Sequence, residues 1–444
     1  MEVEPPSHAL SVAQRGGRAV LGFSTLGFAG SLAFYLAGDG PPLSRWWPLA
    51  ACGALVLLSA IVVFLEPFTL VRWRAVLSSV LASCVMLGGI VATLSLISED
   101  DIDLLSAGRV VDRRFEADEY LDADRTAAGR RRIPTGVFLQ QLRFTAPNAV
   151  QASGFVWQRL PKGFPKKFEG VVFPDAEDSY GTKEVYRDKQ PEDGSTTVGW
   201  YFKVKLAENF DYERYPFDRQ GIRLRLWSKD RADDSMALVP DFRSYPPWQP
   251  QQRYGVDPGL VLPGWSTVFS SWSYLRLDYH TTLGGNPRDY HGAYPVPPDL
   301  YFNVGIDRDW VSPFFDTLTR WLIVALVIFL ALFVYQKDKG ELRPDLGFST
   351  WAVITFGVQM LLVVVIDQDS VRLATGPTMA YVEWFALSLY TVIFLVALNA
   401  VILTSRRYSP GLEWRDNRVA KLLYWPVLLA LIFAATLYVF RPRW

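Results

Sequence analysis

Apolar residues follow two rhythms along this chain. Seven uninterrupted runs, roughly Ala19–Gly38, Trp47–Glu66, Ala75–Ile97, Asp316–Tyr335, Leu346–Ile366, Tyr381–Thr404 and Leu422–Phe440, each approach the ~20 residues that a helix needs to cross a bilayer. Between the third and fourth runs the rhythm shortens. GVFLQQLRF (Gly136–Phe144) and QASGFVWQRL (Gln151–Leu160) read as strands on either side of an APNAV turn. VGWYFKVKLA (Val198–Ala207), WSYLRLDY (Trp272–Tyr279) and LYFNVGI (Leu300–Ile306) continue the series. IRLRLW (Ile222–Trp227) alternates strictly, as a half-buried antiparallel strand does. The pattern predicts a membrane protein of the α+β class: three spans in 1–98, a charged linker or short helix in 99–132, an antiparallel β-sandwich in 133–312, and four spans in 313–444.

Charge adds an orientation. Arginine and lysine concentrate in alternate short loops: Arg15 and Arg18; Arg72 and Arg74; Lys337, Lys339 and Arg343; Arg406, Arg407, Arg415, Arg418 and Lys421. By the positive-inside rule these loops are cytoplasmic. The N-terminus is then inside, and the sandwich and C-terminus are outside a cell (inner) membrane. The first run resembles a signal peptide in position, but two further spans follow at once, so it reads as an uncleaved anchor. Over the whole chain 45 basic and 45 acidic residues balance, which gives no footprint for nucleic acid. The paired acids Glu99–Asp101 read as solvating the membrane exit. Two cysteines, Cys52 and Cys84, lie inside apolar runs and read as packed thiols rather than a disulfide. With three histidines beside them, no metal site is expected. No phosphate loop, His-Glu-x-x-His or nucleophile elbow occurs, so neither an enzyme nor a cofactor is expected.

One polar stretch, YERYPFDRQ (Tyr212–Gln220), is by itself a β-turn with Pro216 fixing φ and Asp218 able to bond its own backbone. In the longer form FDYERYPFDRQ it resembles the signature loop of the pentameric ligand-gated ion channel (Cys-loop receptor) superfamily, especially its prokaryotic members, which lack the bracketing cysteines. TGVFLQQLRF…GFVWQRL is similar to that family's first two strands, and VVFPDAE to the segment carrying its first ligand-site loop. YFNVGIDRDWVSPFF is similar to the last strand entering the first channel helix, and GPTMAYVEWFALSLYTVIFLVALNAVI to the third channel helix. The resemblance spans roughly Ile133–Phe440. Three features depart from it. Three spans precede the sandwich, the proline of the first channel helix is absent near Ile323, and Ala352 stands where a large apolar gate residue is expected.

The resemblance implies a homopentamer in lipid, opened by an unknown small-molecule or ion ligand at the sandwich. It implies coupling through Pro216, Phe217 and Asp218, with Arg308 or Arg372 within reach of the carboxylate. It also puts aromatic ligand contacts at Trp157, Phe173, Trp227, Tyr290 and Tyr294, where cation–π recognition or ordinary packing are both open. Helical spacing places Asp345, Ser349, Ala352, Phe356, Gln359 and Val363 within roughly 80° of one another. Such a polar stripe serves helix–helix hydrogen bonding or a pore equally by spacing alone; the resemblance selects a pore, with Phe356 as the constriction. Glu341 and Asp345 would then form carboxylate rings favouring cations. Two alternatives stay open: a non-conducting membrane receptor or sensor of the same fold, and an unrelated β-sandwich membrane protein that shares the turn.

Overall fold

The computed structural model describes residues 72–95, 105–124, 127–177, 181–190, 194–229, 236–246, 253–277, 298–334, 350–404 and 417–441. The first two apolar runs, Glu99–Asp101, Cys52, Tyr290, Tyr294, Glu341, Asp345 and Ser349 lie outside these residues. The chain divides into two compact units, Glu99–Tyr212 with Phe217–Trp310, and Met1–Ser98 with Glu213–Pro216 and Val311–Trp444.

The first unit holds ten strands: β1 (Arg109–Val111), β2 (Arg131–Ala146), β3 (Ala149–Leu160), β4 (Val171–Val172), β5 (Gly181–Lys189), β6 (Thr196–Ala207), β7 (Arg219–Ser228), β8 (Met236–Pro240), β9 (Trp265–Leu275) and β10 (Asp299–Arg308). They form two five-stranded sheets, ordered β1-β9-β10-β7-β4 and β5-β6-β3-β2-β8. All pairings are antiparallel except β2 with β8. Alternation decides the inner faces. Ile222, Leu224 and Leu226 of β7, Phe302, Val304 and Ile306 of β10, and Val198, Phe202, Val204 and Leu206 of β6 are all buried. The stacked rings of Phe144 on β2 and Trp265 on β9, 5.2 Å apart, join the two sheets.

The segment 99–132 contributes β1, which adds to the edge of one sheet, and the short helix α1 (Arg114–Ala123). Arg132 holds this helix through Asp118 and Asp122. Tyr120 stacks on the buried Tyr274 at 5.3 Å, so the charged stretch belongs to the sandwich unit.

The second unit contains α2 (Arg72–Ser95), α3 (Val311–Val334), α4 (Thr350–Thr375), α5 (Tyr381–Thr404) and α6 (Arg418–Val439). All five are long and apolar enough to cross a membrane. Pro426 sits inside α6 and leaves the carbonyl of Leu422, one turn back, without its helical N–H. Ser79 of α2 donates its hydroxyl to that carbonyl at 2.5 Å. Ten residues on, a Cβ at Gly89 would meet the Phe433 ring at 2.8 Å, so glycine lets the two helices close together. Both contacts advance in the same direction along each helix, so α2 and α6 run parallel. Cys84 is a correction to the sequence reading: its thiol is exposed, on the face of α2 away from the buried Ala82, Met86 and Ile90.

Candidate functional site

In the sandwich, alternation carries two chemical groups to the ends of core rows. Along β10 the row Leu300, Phe302, Val304, Ile306 ends on Arg308; along β7 the row Leu226, Leu224, Ile222, Gln220 leads back to Asp218. Register pairs Asp307 with Arg219, so Arg308 and Asp218 fall beside each other at the next position. Arg308 grips the carboxylate with two hydrogen bonds, Nε to Oδ1 at 2.6 Å and Nη2 to Oδ2 at 3.0 Å. Gln220 adds a third donor at 2.8 Å, and its amide also pairs with both backbone groups of Asp211. Asp218 is buried, and these three donors offset the loss of water.

Rings surround the pair. The guanidinium lies 3.9 Å over Trp265, its cross-strand partner, and 5.8 Å from Tyr212. Trp265 stacks on Phe144, which meets Phe210 at 5.4 Å, and Phe210 meets Tyr212 at 6.3 Å. The Tyr212 hydroxyl donates to the carbonyl of Pro147 in the β2–β3 turn at 2.5 Å. Burial pushes that phenol up to about 12, against the pull of the Arg308 charge, so it stays a donor at neutral pH. The Phe217 ring packs on Trp310 at 5.1 Å, and the peptide before Pro216 is cis. The turn is thereby tied to the β2–β3 hairpin and to the end of β10. Trp265 and Gln220 escaped sequence reading, although the period-2 row through Gln220 was the signal that pointed to the second.

The three described aromatic positions have their own neighbours. Phe173 is buried against Phe202 at 4.9 Å. The Trp157 indole donates to the buried Asp241 at 3.1 Å, beside Arg159 and Ser244 on the same oxygen. Trp227 is covered by the Arg225 guanidinium at 5.0 Å, which Asp175 and Asp299 hold in place. A cation already occupies that ring face, and it is the chain's own.

Glu208, next to this turn, accepts the backbone N–H of Arg223 at 2.8 Å. Burial pushes its carboxyl up to about 7, Arg223 opposes the rise, and Asp175 adds to it.

In the helical unit, α4 packs through one narrow seam of Val353, Gly357, Val364, Val371 and Thr375. Only 17% of its most apolar stretch is covered by the rest of the chain, against 44% for α5 and 50% for α6. Of the expected polar stripe, Ala352 and Phe356 are half-buried and Gln359 and Val363 exposed. At ~100° per residue these four lie about 100° round the helix from the seam. Arg372 joins Glu383 of α5 through Nε at 2.7 Å. Glu383 also takes hydrogen bonds from Gln368 at 2.8 Å and the Ala380 N–H at 3.0 Å. Tyr390 donates to Gln368 at 2.7 Å. On the other flank Arg320 of α3 bonds Asp367 at 2.7 Å. These five partners went unread because each sits in or beside an apolar run where its neighbour is distant in sequence.

Among the described residues no group of three or more His, Cys, Asp or Glu side chains is placed to hold a metal ion. Neither the known protein families nor the curated proteins contain a match to this chain.

Proposed function

We propose that this protein is a homologue of the pentameric ligand-gated ion channels, a cation-selective pore of five copies in a cell membrane. Three N-terminal spans precede the sandwich, which lies outside and takes an unidentified ligand. The observation that carries this reading is the locked turn: Asp218 is bound to Arg308, and only two residues separate Arg308 from the start of α3. A displacement of the turn must therefore move the strand that feeds the first channel helix. The sparse cover of α4 supports the same reading, because a helix that lines a shared pathway finds its neighbours in other copies. The channel would work by ligand-driven motion of the sandwich, transmission through Asp218–Arg308, and dilation at Phe356.

Purified protein in planar bilayers tests this reading. A cation-selective conductance is expected, and Phe356→Ala raises its open probability or leak, since a hydrophobic constriction gates by dewetting. Silence in both the parent and the Phe356→Ala variant, with a folded oligomer present, would favour the non-conducting receptor. One observation already leans that way: Ala352 is too small for the gate position that the resemblance assigns to it.

A further inference from the structure

Strand side chains alternate between the two faces of a sheet, so one row of β10 fills the core and the other points outward. The outward row runs through Tyr301, Asn303 and Gly305, yet Asn303 is fully buried. A buried amide needs partners for both its oxygen and its nitrogen. Asn303 Nδ2 donates to the hydroxyls of Ser273 at 2.8 Å and Ser271 at 3.3 Å, both on β9. Its Oδ1 accepts the N–H of Ala107 at 3.2 Å. Ala107 belongs to a short crossing segment, residues 105–108, that lies over this face of the sheet. The hydroxyls of Ser106 and Ser271 meet at 2.8 Å. The Leu105 carbonyl accepts Arg223 Nε of β7 at 3.4 Å. A Cβ at Gly221 of β7 would overlap that carbonyl, so glycine there makes room for the crossing. Gly108 then turns the chain in the left-handed region, at φ 69°, and the segment continues as β1 paired to β9. Sheet order is β1-β9-β10-β7, so residues 105–108 reach across three strands before joining the edge. Ser106 and Ala107 are buried with the groups they bind.

We infer that residues 105–111 are a strap through which the third N-terminal span acts on β10, the strand that feeds α3, and so give the channel a second input beside the Asp218–Arg308 turn. The inference rests on the channel reading given above. Chain connection supplies the input: α2 ends at Ser95, ten residues before Leu105. Directional bonds supply the transmission. A shift of the strap must carry Asn303 with it or break the Ala107 hydrogen bond, and a broken bond leaves a buried amide unpaired, which costs more than the bond itself is worth. Asn303 lies five residues before Arg308 on the same strand, so strap and turn bear on one element. Ser106, Ala107, Gly221 and Asn303 are positioning residues in this scheme.

Amide hydrogen exchange of the full-length protein in lipid nanodiscs, resolved by peptide, tests this. Two variants loosen the strap itself: Ser106→Ala, which is mild, and Gly221→Ala, which pushes the Leu105 carbonyl away. Each is expected to speed exchange about fivefold in residues 105–111 and in residues 301–305 of β10, while residues 151–158 of β3 stay unchanged. Two further variants disturb α2 where it meets α6: Ser79→Ala removes its hydrogen bond to the Leu422 carbonyl, and Gly89→Leu drives it from Phe433. These are expected to speed exchange in residues 301–305 by up to about threefold, the average worth of one hydrogen bond between membrane helices. A flexible Gly–Ser insertion of about ten residues after Asp101 slackens the connection and should abolish that effect while leaving α2 and the strap intact. Exchange in residues 301–305 that ignores both strap variants overturns the inference. So does exchange unmoved by Ser79→Ala and Gly89→Leu, or moved equally with and without the insertion. Because Ser106→Ala and Ser79→Ala each remove one hydroxyl, the test survives a failure of either larger change to fold. The readout is exchange within one chain and not a current, so a protein that never conducts counts against the channel reading alone.

Discussion

Asp218 and Arg308 form a buried ion pair whose worth shows on breaking it. Removing one partner leaves a charge without water or counter-charge and costs ~3–5 kcal/mol, whereas replacing both by apolar groups of similar size is close to neutral. Asp218→Ala or Arg308→Ala should therefore lower the denaturant midpoint of the purified protein strongly, and Asp218→Leu with Arg308→Met should recover most of it. Equal loss in all three variants would mean that packing, not charge, is at stake. Glu208 makes a second prediction at this scale. Its folded carboxyl titrates at about 7 rather than the usual 4.5, so the folded state holds the proton more tightly than the unfolded chain. The stability this lends is complete below about pH 4.5 and is lost as pH rises to about 7, then stays flat. Melting temperature of the parent relative to Glu208→Gln should fall across that window and no further; a constant difference would show that the carboxyl is solvated. Much of this site was legible in the sequence. Asp218 and Arg308 follow from the turn and the strand that the chain resembles. Glu383 was not legible, because its partners come from a helix whose apolar run ends at Ile366, just before them.

Elements were legible where apolar periodicity was strong and illegible where tertiary contact overrode it. β2, β3, β6, β7 and β10 follow their alternating segments, whereas β9 begins at Trp265, seven residues before the expected Trp272–Tyr279, and ends at Leu275. β5 does not: all nine residues of GTKEVYRDK are exposed, so no buried face marks the strand and only pairing with β6 makes it one. The continuation of α4 through DQDSVRLAT has the same cause, since its polar groups are satisfied from α3 and α5 rather than by water. The pairing of Ser79 with the carbonyl freed by Pro426 yields a test between elements. Ser79→Ala should destabilise the protein in detergent by roughly 0.6–1.7 kcal/mol, from the average to the upper end for a hydrogen bond between helices of a folded membrane protein. Pro426→Leu should remove that penalty by restoring the helical N–H, and an undiminished loss in the double variant would deny the pairing. Gly357→Leu should cost ~1–3 kcal/mol by forcing α4 from Ile393, while Gly357→Ala is tolerated at 3.5 Å.

At the scale of the whole molecule, α2 and α6 run parallel, so Ser95 and the C-terminal end of α6 lie at the same end of the helical unit. The charge of the loops leads to the expectation that the N-terminus is cytoplasmic and Trp444 outside. Reporter fusions at the two termini should report opposite sides of the membrane; the same side for both would mean an even number of crossings. Composition and hydropathy made the membrane class and the sandwich legible, but the seating of the preceding helix against α6 depends on one serine and one glycine that no periodicity singles out. The central claim is that five copies surround a pathway lined by α4. Single-particle imaging of the purified complex in nanodiscs tests it most directly. A five-fold ring with Phe356, Gln359 and Val363 facing the axis is the predicted result; a monomer, another symmetry, or α4 turned toward lipid would contradict it.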